Sequence, residues 1–555
     1  MVVKRSEKYG SANLGTYQEA VEKALAQMAQ QKGIARIWAH DHTVWKREPT
    51  EITNRLGWLH TAEAMLVQVP QLEELANEVR DEGYRHTLLL GMGGSSLAPE
   101  VFRLTFGVKD GYLDLAVLDS TVPGVILDHA ERLDLTRILF LVSTKSGTTV
   151  ETLSLFQFFY NQVAQRVGFN QAGRHFVAIT DPNTKLVHLA ERYRFRTVLF
   201  GDPNIGGRFS AFSNFGLVPA ALIGMDVRLL LERALEASAH CAPSVEGKQN
   251  PGAWLGAILG TLARMGRDKL TLVISSSIAS LGNWLEQLIA ESTGKEGQGI
   301  LPVAGEPLGS PEVYGRDRLF VALQLAGQET HDAALAALEA AGHPVVRLYL
   351  RDRYDVGRQM FLWEMSTAVA GYYLGINPFD QPNVESSKQR AREMIRVYME
   401  TGALPPVASA PLSPANLLAF LAPAQAGDYV ALQAYVAPTA ETEAALQTLR
   451  TKLRDRLKLA VTVGYGPRFL HSTGQLHKGD AGNGFFIQFT ADDARDVPIP
   501  DEAGSSSSSL TFGLLKEAQV RGDQQALLEA GRRVIRFHLG DDVSSALQRL
   551  ADFPH

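Results

Sequence analysis

The chain has 555 residues, 45% hydrophobic and 21% charged, with a net charge of −6. That length asks for about two to four domains, and an acidic balance without a basic run excludes a nucleic-acid surface, which needs concentrated positive charge. Cys241 is the only cysteine, so no internal disulfide forms, no apolar run reaches the roughly 18 residues of a membrane span, and the basic start MVVKRSEKYG lacks an apolar segment behind it, so a reducing, cytoplasmic setting is expected.

Residues 1–80 read as mostly helical, with apolar positions of TYQEAVEKALAQMAQQ recurring every three or four residues. From 86 the pattern changes. HTLLLGMGGSSLAPEVFRLTFG is a short buried strand, a Gly/Ser turn and a helix start. LAVLDS is a second strand, RILFLVSTKSGTTVETLSLFQFFY repeats strand, polar loop and helix, and HFVAITDP is a fourth strand. DKLTLVISSSIASLGNWLEQLIAES then restarts the scheme, with LFVALQL and PVVRLYL as further strands and MFLWEMSTAVAGYYLG as the closing helix. LPPVASAPLSP is a connector. Beyond it DYVALQAYV, AVTVGYG and GFFIQFT are strands, GSSSSSL reads as a mobile linker, and two helices close the chain.

Strands alternating with helices imply parallel pairing covered on both faces. The expected fold class is α/β, with two doubly wound parallel-sheet domains and a smaller C-terminal α/β unit. The boundaries are a helical segment at 1–60, domains at 61–230 and 231–400, and a unit at 415–555.

Ligands of such sheets sit at the carboxyl ends of strands, where helix N-termini present free N–H groups. Two loops there suit a phosphate. GMGGSS offers backbone N–H groups at Gly93 and Gly94 and the hydroxyls of Ser95 and Ser96. STKSGTT offers Ser143, Thr144, Ser146, Thr148 and Thr149 with the charge of Lys145. Neither spells a nucleotide P-loop or a dinucleotide fingerprint. His40 and His42 flank Asp41, a spacing that makes a hydrogen-bonded loop rather than a metal site, and no other spacing calls for a metal or a cofactor. FLHSTGQLHKG places His471, His477 and Lys478 late in the chain, either as an anion-binding or proton-moving group or as a solvated loop.

GMGGSSLAPE, STKSGTTVET, GGRFS, LEQLIAESTGKEGQG and INPFDQPNVESSK resemble, in order, the motifs of the glucose-6-phosphate isomerase family. The flanks RIWAHDHTVWKREPTEITNRLGWL and GYGPRFLHSTGQLHKG look closest to the isomerase half of bifunctional transaldolase/glucose-6-phosphate isomerases. The transaldolase barrel, which needs roughly 250 residues of β/α repeats, is not in this chain. The resemblance implies two sugar-isomerase (SIS) domains, a hexose 6-phosphate substrate, a homodimer, a transaldolase activity in a related or fused protein, and no cofactor or metal.

It also implies roles. Glu291 is the base of an enediol proton transfer, and Gln287, four residues earlier on the same helix face, contacts substrate. Arg208 meets enediolate charge and Lys388 assists at the ring oxygen. Gln381 lies on the phosphate side. Gly94, Ser95, Ser96, Thr144, Lys145, Ser146, Thr148 and Thr149 hold the phosphate. One departure stands out. Where the family carries its ring-opening histidine, between base and lysine, this chain has Asp317 and Arg318, and an arginine exchanges no proton near neutrality. LHSTGQ resembles the family's histidine segment but follows Lys388. His471 is therefore expected to be delivered by a folded-back C-terminal unit, with His477 and Lys478 in support. Use of mannose 6-phosphate as well, with Thr293 beside the base, and a SIS-fold sensor that binds without turnover remain alternatives.

Overall fold

The computed structural model describes residues 9–553. Three parallel sheets carry the architecture. The first has strand order Asp114–Leu118, His86–Gly91, Ile138–Ser143, Phe176–Thr180, Thr197–Phe200, all parallel. Its central strands LLL and ILFLVS are buried throughout, as a sheet covered by helices on both faces demands. The second has the order Val345–Leu350, Arg318–Leu325, Lys269–Ile274, Leu301–Val303, also parallel. Gly10–Asn13 adds an antiparallel edge to it. The expected mostly helical start holds a strand as well: four residues are too few to show a period, and it is the open edge of Val345–Leu350 that recruits them.

The C-terminal sheet has the order Ala460–Tyr465, Tyr429–Tyr435, Gly484–Thr490, Arg533–His538, all parallel. Its last strand, RVIRFH, lies between the two closing helices, Phe512–Glu529 and Val543–Leu550; three basic or imidazole side chains in six residues hid it from an apolar-run reading. This unit has its own core around Leu432, Leu449 and Phe489. It also shares a core with the second sheet, where Tyr429, Leu476 and Phe486 meet Ala290, Leu301 and Val303. A third core joins it to the first sheet, through Val497, Ile499, Phe512 and Leu515. Burying Phe512 alone contributes about 2 kcal/mol to that junction.

The Ser-rich segment is not a free linker. Residues 498–511 form a two-stranded antiparallel hairpin, Pro498–Ile499 with Leu510–Thr511. Its loop is tied to helix Val150–Val167: Asn161 Nδ2 donates to Ser505 O at 2.7 Å and Gly504 N to Asn161 Oδ1 at 2.6 Å. Composition alone could not reveal these tertiary anchors. Helix Val384–Thr401 lies against Phe512–Glu529, and the approach is close because Gly522 has no Cβ; one there would fall 2.6 Å from Ala391 N.

Candidate active site

In the first sheet the chain leaves His86–Gly91 toward one side and returns with Ile138–Ser143 on the other. This is a topological switch point, where crevices for ligands open. GMGGSS and STKSGTT are the loops after these two strands. Thr144 Oγ1 lies 2.8 Å from Thr149 Oγ1, and Ser146 Oγ 3.1 Å from Thr148 Oγ1, so the second loop is a ring of hydroxyls. Gly147 takes φ +67, the left-handed turn that bends the ring closed.

The first loop is packed more tightly. A Cβ on Gly94 would lie 2.1 Å from Gly207 O, and one on Gly93 would lie 2.8 Å from His471 O. These glycines let the backbone of GGRFS and of the late histidine segment come into contact with the loop. Ser96 is fully buried, with Oγ 3.2 Å from both Gly93 O and Asp119 Oδ2, sharing its single proton between them.

Glu291 sits near the end of helix Leu281–Thr293, 7% exposed. Gln287 Nε2 donates to its Oε2 at 3.0 Å, and Arg208 Nη1 is 3.2 Å from its Oε1. Arg208 is 2% exposed and held on every side. Nε donates to Ser292 Oγ at 2.7 Å, and Nη2 to Pro378 O at 2.7 Å and Asp380 O at 3.0 Å. Of its five donors, one N–H on Nη1 is left for a ligand. Burial pushes this guanidinium below its ordinary range, against the pull of Glu291 and Asp380. Lys295, in the same ESTGK run, donates to Asp380 O and Oδ1, and burial lowers it to about 8. It and Arg208 together pin the FDQP segment.

The C-terminal unit closes the other side. A cavity of about 440 Å³ is lined by Ser146, Thr148, Thr149, Glu151, Lys388, His471 and Lys478, among others. His471 Nε2 lies 2.8 Å from Glu151 Oε1, and Gln287 Nε2 donates to His471 O at 2.8 Å. Gln287 thus touches both the Glu291 carboxylate and the histidine backbone. Burial pushes the Glu151 carboxyl up, but His471 and Lys388 outweigh it and hold the group below its usual value. Lys478 is buried, with Nζ donating to Asp523 Oδ1 at 2.7 Å.

Other expected residues lie elsewhere. Lys145 Nζ donates to Asp181 Oδ2 at 2.5 Å and Asp202 O at 2.8 Å, turned from the hydroxyl ring; burial lowers its pKa despite Asp181. Glu291, Gln287 and Arg208 do not line this cavity, nor do Gly94, Ser95, Ser96, Thr144 and Gln381, and Gln381 is exposed. His477 is a core residue among Tyr429, Phe469 and Phe486, and burial drives it well below the usual imidazole range. Asp317 and Arg318 also lie outside the cavity lining. Arg318 is fully buried, pairs with Glu306 and donates to Leu459 O, so it fastens the C-terminal unit to the second sheet. Glu151 was within reach of sequence reasoning: it stands in the first turn after STKSGTT, where an acid against a helix N-terminus is unremarkable. Only its burial, 4% exposed, marks it out. Among the described residues no group of three or more His, Cys, Asp or Glu is placed to hold a metal ion, and no helix is long and apolar enough to cross a membrane.

Paired parallel sheets with a hydroxyl-rich switch-point loop and a carboxylate–arginine pair at their junction define a two-domain phosphosugar isomerase of the SIS class. The family model of phosphoglucose isomerase matches residues 79–299. The chain is 30% identical over 372 residues to the glucose-6-phosphate isomerase of Rubrobacter xylanophilus, covering 57% of this chain and 84% of that protein. It is 26% identical over 445 residues to that of Carboxydothermus hydrogenoformans, covering 69% and 90%. A hypothetical protein of known structure from Thermus thermophilus superimposes with a TM-score of 0.59 at 25% identity, covering 69% of this chain and 99% of that one. The chain belongs to the glucose-6-phosphate isomerase family.

Proposed function

We propose that the chain interconverts D-glucose 6-phosphate and D-fructose 6-phosphate, with Glu291 as the proton-transfer base and His471 opening the ring. The observation that carries this reading is the junction of two pairs. Glu291 is held by Arg208 and Gln287, and Gln287 also holds the segment that brings His471 to Glu151 and the cavity.

The phosphate is taken by the hydroxyls of Ser146, Thr148 and Thr149, with the charge of Lys388 in the same cavity; Lys478 is already paired with Asp523. Thr144, Lys145, Gly94, Ser95 and Ser96 shape these loops, and Gln381 keeps its phosphate-side role from the family likeness alone. Glu151 is acceptor-only, so it fixes the proton of His471 on Nε2 and leaves Nδ1 to the sugar. Nδ1 takes the proton of the C1 hydroxyl and passes it to the ring oxygen, which opens the hemiacetal to the aldehyde. Lys388 steadies the departing ring oxygen. Glu291 then takes the C2 proton and returns it to C1. The remaining Nη1–H of Arg208 meets the enediolate charge, and a preorganised donor of this kind is worth about 3 kcal/mol in a buried site. The family likeness extends the proposal to a homodimer, a cytoplasmic setting and a transaldolase activity in a related or fused protein.

Turnover of glucose 6-phosphate, measured with a chelator present, tests it. Wild type converts the sugar. Glu291→Gln loses at least about a thousandfold in kcat with KM little changed. His471→Ala is slowed on ring-closed hexose but not on an aldose phosphate too short to cyclise. A wild type that binds the sugar phosphate without converting it makes the chain a sensor and ends the proposal.

A further inference from the structure

The helix Phe512–Glu529 faces the cavity with a residue the mechanism above does not use. Gln519 is 4% exposed and lines the cavity. Its Nε2 donates to Glu151 Oε1 at 2.7 Å. That same oxygen is the partner of His471 Nε2. The far end of the amide accepts from Thr121 Oγ1 at 2.8 Å, and Thr121 is fully buried. We propose that Gln519 is a positioning residue for ring opening: it locks the Glu151 carboxylate, and through it His471, while Thr121 sets the direction of the amide. This rests on the isomerase reading above.

The chemistry of the four groups fixes the arrangement. An ionised carboxylate only accepts hydrogen bonds, so Gln519 must turn its NH2 toward Glu151. Its carbonyl must then face Thr121, whose hydroxyl can donate. Reversing the amide would set a carbonyl oxygen against the carboxylate and leave Thr121 without its acceptor. The terminal torsion of a glutamate is soft and roughly two-fold. Glu151 also feels the positive charge of Lys388 across the cavity. Without a second donor on Oε1, the carboxylate is free to swing toward the lysine and release the imidazole. Gln519 opposes that swing. The lock spans the fold: Thr121 and Glu151 belong to the first domain, Gln519 and His471 to the C-terminal unit.

The variants are Gln519→Met, which keeps length and removes the donor, Thr121→Val, and the double substitution. The readouts are kcat and KM on glucose 6-phosphate and on a four-carbon aldose phosphate that cannot close a ring, and the nitrogen NMR signature of His471 in histidine-labelled protein. Thermal midpoints control for folding. Loss of one charge-assisted hydrogen bond predicts roughly a tenfold lower kcat on the hexose for Gln519→Met. KM should stay within about twofold and the acyclic substrate should be unaffected, since phosphate contacts and base remain in place. Thr121→Val should cost about threefold, and the double variant no more than Gln519→Met, because both act through one amide. The slowly exchanging Nε2–H of His471 should broaden or vanish.

Equal losses on cyclic and acyclic substrates, additive losses in the double variant, or an unchanged His471 signature would each overturn the proposal. If Gln519→Met does not fold, Thr121→Val and the NMR comparison decide it alone. A wild type inactive on both sugars sinks the isomerase reading instead, and the His471 signature then still decides whether Gln519 holds the lock.

Discussion

Replacing Arg208 by lysine separates charge from geometry at the base. Arginine spends Nε on Ser292 Oγ, both Nη2 hydrogens on Pro378 O and Asp380 O, and one Nη1 hydrogen on Glu291. Lysine keeps a positive charge near Glu291 but has three donors on one nitrogen, without the planar fork. Asp380 O retains Lys295 at 2.6 Å. Pro378 O has no such substitute and becomes a buried unpaired acceptor, at a cost of about 1–3 kcal/mol in stability. The remaining Nη1–H, proposed above to meet the enediolate charge, is also lost. Removal of one oxyanion donor in a buried site costs about 2.7–4 kcal/mol, or roughly a hundred- to a thousandfold in kcat. The assay is steady-state isomerisation in both directions, joined to exchange of the C2 hydrogen with deuterated solvent. Turnover and exchange should fall together, with KM shifted by less than about threefold. An Arg208→Lys enzyme within about fivefold of wild type in kcat would refute the assignment of the enediolate charge to this guanidinium.

Two further outcomes are expected. Gly94→Ala places a methyl 2.1 Å from the Gly207 carbonyl, backbone against backbone, so the turn holding Arg208 is pushed away; a loss of about 1–3 kcal/mol in thermal stability with at least tenfold lower kcat is predicted, and an unperturbed variant would show that the two turns do not touch in solution. Glu286 lines a separate cleft with Arg450 and Arg468, and burial, against those two arginines, pushes its carboxyl up to about 7. A raised folded-state pKa means the native chain binds the extra proton, so this group's contribution to stability is full below its unfolded value of about 4.3 and is lost as pH rises to about 7. Glu286→Gln should therefore raise the thermal midpoint at pH 8, the gain in stability having an upper bound of about 4 kcal/mol before solvent screening, and the gain should shrink toward pH 4.5; a gain independent of pH would show that the carboxyl is not the titrating group.

Much of this was legible where period and spacing carry information. The two hydroxyl loops follow apolar strands, and the structure sets them at one switch point. Gln287 and Glu291, four apart, share a helix face and a 3.0 Å hydrogen bond. What stayed hidden depends on contacts between distant segments. Lys145 carries the right charge in the right loop, but Asp181 and the Asp202 carbonyl claim it first. The sequence reading set His477 in support of His471; the short helix Gly474–Gly479 turns His477 into an aromatic core instead, while His471, just before it, lines the cavity. Gln519 and Thr121 lie 398 residues apart, a pairing no local pattern encodes.

That separation bears on how the chain comes into being. The base, its arginine and the hydroxyl loop are all made before residue 400, whereas His471 and Gln519 emerge later and belong to a unit with its own core. During synthesis the first two sheets can assemble with the base in place and no group yet able to open a ring. On the ring-opening role proposed for His471, competence toward cyclic sugar is gained late in translation, when the last sheet docks.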